Sequence, residues 1–133
     1  MEKHKSAGII PIKDSKILLI KGWHGNWLFP KGHIEENESD IEAAKREFWE
    51  ETGIPESFLH IQNQTFKDSY EFNKDGKKHY KEVVYFLAHL DDGFEDFIYP
   101  MEGEILDVKL FDKNESISKV NFDFYKQTIQ KVI

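Results

Sequence analysis

Four stretches of the chain carry a hydrophobic period, and each period predicts an element. Ile41, Ala44, Phe48 and Thr52 recur at helical spacing and would face a core. Ser39 with Glu42 three places on matches a capping box, in which hydroxyl and carboxylate satisfy the free N–H groups of a first turn. Gly53 followed by Pro55 supplies the stop, so a helix is predicted over 39–52. Thr65 to Phe72 alternates, with Phe66, Tyr70 and Phe72 on one face, and Lys78 to Leu90 is rich in β-branched and aromatic residues. Asn73-Lys74-Asp75-Gly76-Lys77 has the turn chemistry to join these two strands as a hairpin. Phe122, Tyr125, Ile129 and Val132 predict a helix over 121–133 whose apolar stripe packs on the sheet.

The polar positions of the first helix change the picture. Glu47, Glu50 and Glu51 stand at i, i+3 and i+4, so three carboxylates project from one stripe. Each like-charged pair costs ~0.2–0.5 kcal/mol on an isolated helix, and acids near a C-terminus also oppose the helix dipole. A solvated acidic face is the plain alternative. A divalent cation would reverse the sign, and hard carboxylate oxygens suit Mg²⁺ or Mn²⁺. Arg46 reaches Glu42 and Glu50 at i±4 and could hold one carboxylate in place. Ahead of the helix, Pro30-Lys31-Gly32 predicts a tight turn.

With 133 residues, the chain has the length of one domain with a sizeable core. It contains no cysteine, which excludes disulfides and thiolate metal sites. No long apolar run and no basic-then-apolar leader are present, so neither a membrane span nor a secretory signal is expected, and the expected location is cytoplasmic. A formal net charge of −7 argues against broad contact with long nucleic acid. It does not argue against a small anion held through metal ions. His4, His60 and His89 have no partners at metal-ligand spacing, and Trp23 and His24 lie in a loop from which they could touch a base.

Taken together, Gly32-x5-Glu38-x7-Arg46-Glu47-Phe48-x-Glu50-Glu51-x-Gly53-Ile54 resembles the signature box of the Nudix hydrolases with every defining position filled. The resemblance implies a single-domain α/β fold, an α/β/α sandwich around a mixed sheet, with residues 32–54 forming the loop, helix and loop of the box. It implies Mg²⁺-dependent hydrolysis, by water attack on phosphorus, of a nucleoside diphosphate linked to another group. Within it, Gly32, Glu47, Glu50, Glu51 and Glu104 are the expected metal ligands, and Glu47, Glu51 and Glu104 the expected catalytic residues, with Glu47 and Glu104 the two candidates for general base. Arg46 and Gly53 are structural. Ser6 to Pro11 and Lys16 to Lys21 are similar to the family's first two strands. Glu102 to Phe111 resembles the loop and strand that bring a further glutamate to the metals. Glu104 is the best match and Glu102 the alternative, since Leu110 stands where a tryptophan is frequent and Lys109 where arginine is frequent.

Trp27-Leu28-Phe29-Pro30-Lys31-Gly32-His33-Ile34 and Lys81 to Ala88 are similar to the asymmetrical diadenosine tetraphosphate hydrolase branch. That likeness implies a small nucleotide substrate, phosphate contacts from Lys31, His33 and Lys81, and a base stacked on Tyr85. Strand period places Lys81 and Tyr85 on one face. The competing expectations are removal of pyrophosphate from an RNA 5′ end or from a modified nucleoside triphosphate, and a nucleotide sensor without catalysis.

Overall fold

The computed structural model describes residues 1–133. Two strands that are apolar on both faces make its centre: β1 (Glu2–Lys13) and β6 (Lys77–Leu90) pair in parallel, Glu2 opposite His79 through Ile12 opposite His89. Every other pairing is antiparallel. β2 (Lys16–Gly22) turns back on the end of β1, β3 (Trp27–Leu28) and β7 (Ile105–Asp112) flank β2, and β4 (Lys31–His33) pairs with the start of β1. β5 (Leu59–Lys74) closes the other side against β6 through an Asp75-Gly76 turn. Both turn residues have positive φ, as the tight hairpin requires.

The period of two sorts the apolar runs into two cores. Ala7 and Ile9, Leu18 and Ile20, and Val84 and Ala88 face α1 (Asp40–Thr52), which contributes Ala43, Ala44 and Phe48. Ile10 and Ile12, Ile17 and Leu19, and Val83 and Leu87 face the opposite way, toward Tyr125 and Ile129 of α3 (Asp123–Val132) and Val120, which follows α2 (Lys113–Lys119). The arrangement is the expected α/β/α sandwich around one curled, mixed sheet. No helix is long and apolar enough to cross a membrane.

Helix α1 has the expected boundaries: Ser39 and Glu42 close the capping box, and Gly53 sits at φ 81° with its N–H on the Trp49 carbonyl at 2.8 Å. Its buried stripe is Ala43, Ala44, Phe48, Glu51 and Thr52. Ile41 is only half-buried, because the helix turns Ala43 rather than Ile41 into the sheet. Other expectations need correction. β1 and β5 begin earlier than the sequence pattern predicts. Helix α2, seven mostly polar residues started by the Asp112 carboxylate on the Glu115 N–H, carries no period to read. Phe122 is half exposed instead of core, since it adopts extended backbone as the cap before α3.

Candidate active site

The box wraps one corner of the sheet. β4 lies against β1 with Gly32 opposite Ala7, and the Glu47 carboxylate packs directly over Gly32. A Cβ at residue 32 would occupy the volume of that carboxylate, so glycine is required here by contact rather than by backbone angle.

Arg46 holds the corner together. Its Nε and one terminal nitrogen form a fork on Glu38 at 2.7 and 3.0 Å, and that same nitrogen donates to the His33 carbonyl at 2.9 Å. The other donates to Glu47 at 2.9 Å and Glu50 at 3.1 Å. Arg46 does not reach Glu42, whose carboxylate is engaged by the Ser39 N–H in the capping box. Two of the three stripe glutamates therefore have a cation, and the helix repulsion expected from spacing is partly relieved.

Glu51 is the exception. It is 9% exposed, its Oε1 accepts the Lys31 N–H at 2.8 Å, and no cation pairs with it. Burial, aided by the nearby Glu47 and Glu104 charges, pushes its carboxyl up to about 8. Burial raises Glu47 as well, against the opposing pull of Arg46. Glu104 is exposed on the turn before β7 and lines, with Glu51, Lys31 and His33, an open cleft of about 690 Å³. Glu102 is not among the residues lining that cleft. Next to Lys31, burial and the Lys31 amine hold the Lys81 amine down at about 8, against the opposing pull of Glu51 and Glu47. Carboxylates with too little compensating charge beside crowded lysines form a site suited to ligands of both signs. Glu47, Glu50, Glu51 and Glu104 offer oxygen donors alone, the set that a hard divalent cation prefers, and the strain on Glu51 is the kind such an ion relieves.

Tyr85 does not fit its expected role. It shares a face with Lys81, but it is fully buried: its hydroxyl bonds that of Tyr125 at 2.9 Å, and Phe29 and Phe124 lie against its ring at 5.3 and 5.6 Å. Helix α3 covers the position, so no base can stack there. Tyr85→Phe should leave kcat/KM unchanged and lower stability by about 0.5–1.5 kcal/mol, the worth of one hydrogen bond. Tyr85→Ala should destabilise by about 3–5 kcal/mol through the cavity it leaves. Urea unfolding of both variants, read beside their kinetics, checks this.

Trp23 and His24, read from the sequence as loop residues able to touch a base, do line the cleft, and two further features, at Asp68 and at His4, escape sequence reading. Trp23 is 64% exposed, its ring 3.5 Å from that of His24, and both line the cleft that holds Glu51 and Glu104. Asp68 of β5 is within Coulombic reach of Lys31, and burial raises its carboxyl. His4, read as lacking a partner, bonds His79 at 2.8 Å through the parallel pairing of β1 and β6. The positions are 75 residues apart, so only the pairing of the strands could have revealed the contact.

Comparison with known proteins agrees with this geometry. The family model for the NUDIX domain matches residues 2–131. The asymmetrical bis(5′-nucleosyl)-tetraphosphatase of Rattus norvegicus is 33% identical over 128 residues, covering 92% of this chain and 84% of that protein. The mRNA-decapping protein g5R of an African swine fever virus isolate from Namibia is 38% identical over 100 residues, 71% of this chain but 39% of the viral protein. The chain thus spans well under half of that relative. The C. elegans Ap4A hydrolase, solved as a binary complex, superposes with a TM-score of 0.79 at 25% identity, covering 96% of this chain and 93% of that one. The complete box, the sandwich and these likenesses together show that the chain belongs to the Nudix family of phosphoanhydride hydrolases.

Proposed function

We propose that the protein hydrolyses a nucleoside polyphosphate with the help of Mg²⁺ or Mn²⁺, and that its substrate is diadenosine tetraphosphate, cut asymmetrically to ATP and AMP. The observation that carries the reading is the convergence of carboxylates and amines at one corner: Glu51 and Glu104 share an open cleft with Lys31, and the Lys31, Glu51 and Glu47 charges all act on the Lys81 amine.

Glu47, Glu50, Glu51 and Glu104, with the Gly32 carbonyl as a further donor, would hold the divalent ions. Such ions, when bound, neutralise phosphate charge and lower the pKa of a coordinated water. The chain's own residues do the rest. Arg46 fixes Glu47 and Glu50 so that little reorganisation is needed when substrate arrives. Lys31 and Lys81 act as point charges on the phosphate chain, and His33 adds a donor at its edge. A water oxygen bonds to phosphorus, the bridging oxygen departs with the other product, and the water's proton passes to Glu47 or Glu104.

With Tyr85 buried, Trp23 is the largest exposed aromatic surface lining the cleft. Trp23→Ala should lower kcat/KM for diadenosine tetraphosphate by about 5- to 150-fold, the range that corresponds to 1–3 kcal/mol of stacking. An unchanged kcat/KM would remove Trp23 from the site.

The likeness to the viral decapping protein supports a second reading, hydrolysis at an RNA 5′ end. Competition between diadenosine tetraphosphate, a 5′-triphosphorylated RNA, a capped RNA and ATP, with products separated by chromatography, decides between them. ATP and AMP from the first substrate support the asymmetric cut, and two ADP molecules contradict it. Preference for either RNA puts the second reading first, and binding of all four without turnover leaves a nucleotide sensor.

A further inference from the structure

Beyond Lys81 the same sheet face continues to a second cavity, of about 340 Å³, which contains none of the box glutamates. Parallel pairing sets Glu2 of β1 opposite His79 of β6, and the period of two brings His4 onto the same face. Three donor atoms from Glu2, His4 and His79 consequently lie within 4.8 Å of one another. His4 Nε2 is 2.8 Å from His79 Nδ1, and that same nitrogen is 3.3 Å from Glu2 Oε2. The rings are held before any ligand arrives. His79 is buried, and its ring packs with those of His4, at 5.1 Å and 26°, and Phe72, at 5.1 Å and 15°, the last two being 5.8 Å apart.

We propose that Glu2, His4 and His79 form a second metal site, for Zn²⁺ or a similar transition ion, distinct from the oxygen site of the box. Two imidazole nitrogens and one carboxylate oxygen are a donor set that Zn²⁺ accepts and Mg²⁺ declines. Around a tetrahedral Zn²⁺ with bonds of about 2.0–2.1 Å, two nitrogens stand about 3.3 Å apart. The pair must therefore open by only about half an ångström, a small rotation of the half-buried His4. Solvent in the open cavity completes the coordination. Lys74, Lys77 and Lys81 line the same cavity, opposed by Glu2 and Asp75. Their field disfavours a weakly held ion such as Mg²⁺ and leaves affinity to direct nitrogen bonds. A hydrogen-bonded histidine pair with no metal is the competing account. In that account the histidines contribute no selectivity among metal ions.

The test uses the untagged full chain, because a histidine tag would supply its own ligands. Co²⁺ is the spectroscopic probe, titrated with Mg²⁺ in large excess to occupy the box. One equivalent with visible d–d absorption is expected, displaced by Zn²⁺. His4→Gln and Glu2→Gln, both outside the core, should each weaken it at least tenfold, while Glu51→Gln should retain it. Zn²⁺ should raise the melting temperature of the parent protein in the same Mg²⁺ buffer and leave that of His4→Gln unchanged. Absence of Co²⁺ uptake under Mg²⁺, or uptake lost in Glu51→Gln and kept in His4→Gln, overturns the site. Neither result bears on hydrolysis at the box, so the two assignments fail separately.

Discussion

Glu51→Gln should lower turnover by about three orders of magnitude while leaving the protein folded. Glutamine keeps the shape and the acceptor for the Lys31 N–H, but it removes the one charge in the stripe that has no cation of its own. Several kcal/mol of charge stabilisation, at 1.36 kcal/mol per tenfold, account for a loss of that size. Near-native turnover at saturating Mg²⁺ would refute the assignment. The same substitution should alter stability in the opposite sense. A carboxyl raised from 4.5 to about 8 on folding binds its proton more tightly in the native state. The destabilisation is absent below pH 4.5 and grows as pH rises toward 8, where the folded protein must hold a buried anion. In chelator, the melting temperature of the parent protein should therefore fall from about pH 5 to pH 8, and Glu51→Gln should remove most of that fall. Mg²⁺ should restore the parent at pH 8 and do little for the variant. Parallel melting curves in chelator would contradict the burial argument.

Arg46→Lys should be nearly as damaging, by a different route. The guanidinium serves Glu38, Glu47, Glu50 and the His33 carbonyl at once, and an ammonium cannot reproduce that planar fork. Glu38 and Glu47 would be left partly unpaired, and the β4 corner would lose its tie to α1. A displacement of about 1 Å in a positioned group can cost 10²-fold, so kcat should drop by about two orders of magnitude. The melting temperature should drop by several degrees, and raising Mg²⁺ should not recover kcat. Recovery of kcat at high Mg²⁺ would mean that Arg46 acts only by tuning ion affinity.

The parts of this protein that sequence reading reached are those whose physics is local. Ser39, Glu42 and Gly53 bound α1 through contacts spanning a few residues, and Asp75-Gly76 does the same for the hairpin. The glutamate stripe follows from helical period alone. Tyr85 went wrong because a period of two assigns a face but not what covers it: α3, from the far end of the chain, lies over Tyr85, whereas Lys81 lines an open cavity. The Gly32 contact with Glu47 and the Arg46 link to Glu38 follow the same rule, since both depend on how β4 approaches α1. His4 with His79 is the extreme case, a contact that exists only after two distant strands pair.

That pairing also sets the order of assembly. During synthesis β1 is made first, and its partner β6 cannot join it until some 75 further residues have emerged. Helix α1, with its own caps, and the β5–β6 hairpin can form from neighbouring residues, whereas β1 must wait with its β6 edge unpaired. Closing β1 onto β6 is the step that brings Lys81 to Lys31. Hydrolytic competence should therefore appear last and all at once on refolding, after the helical signal has already returned, and the nascent chain is most prone to aggregate in the interval before residue 90 clears the ribosome.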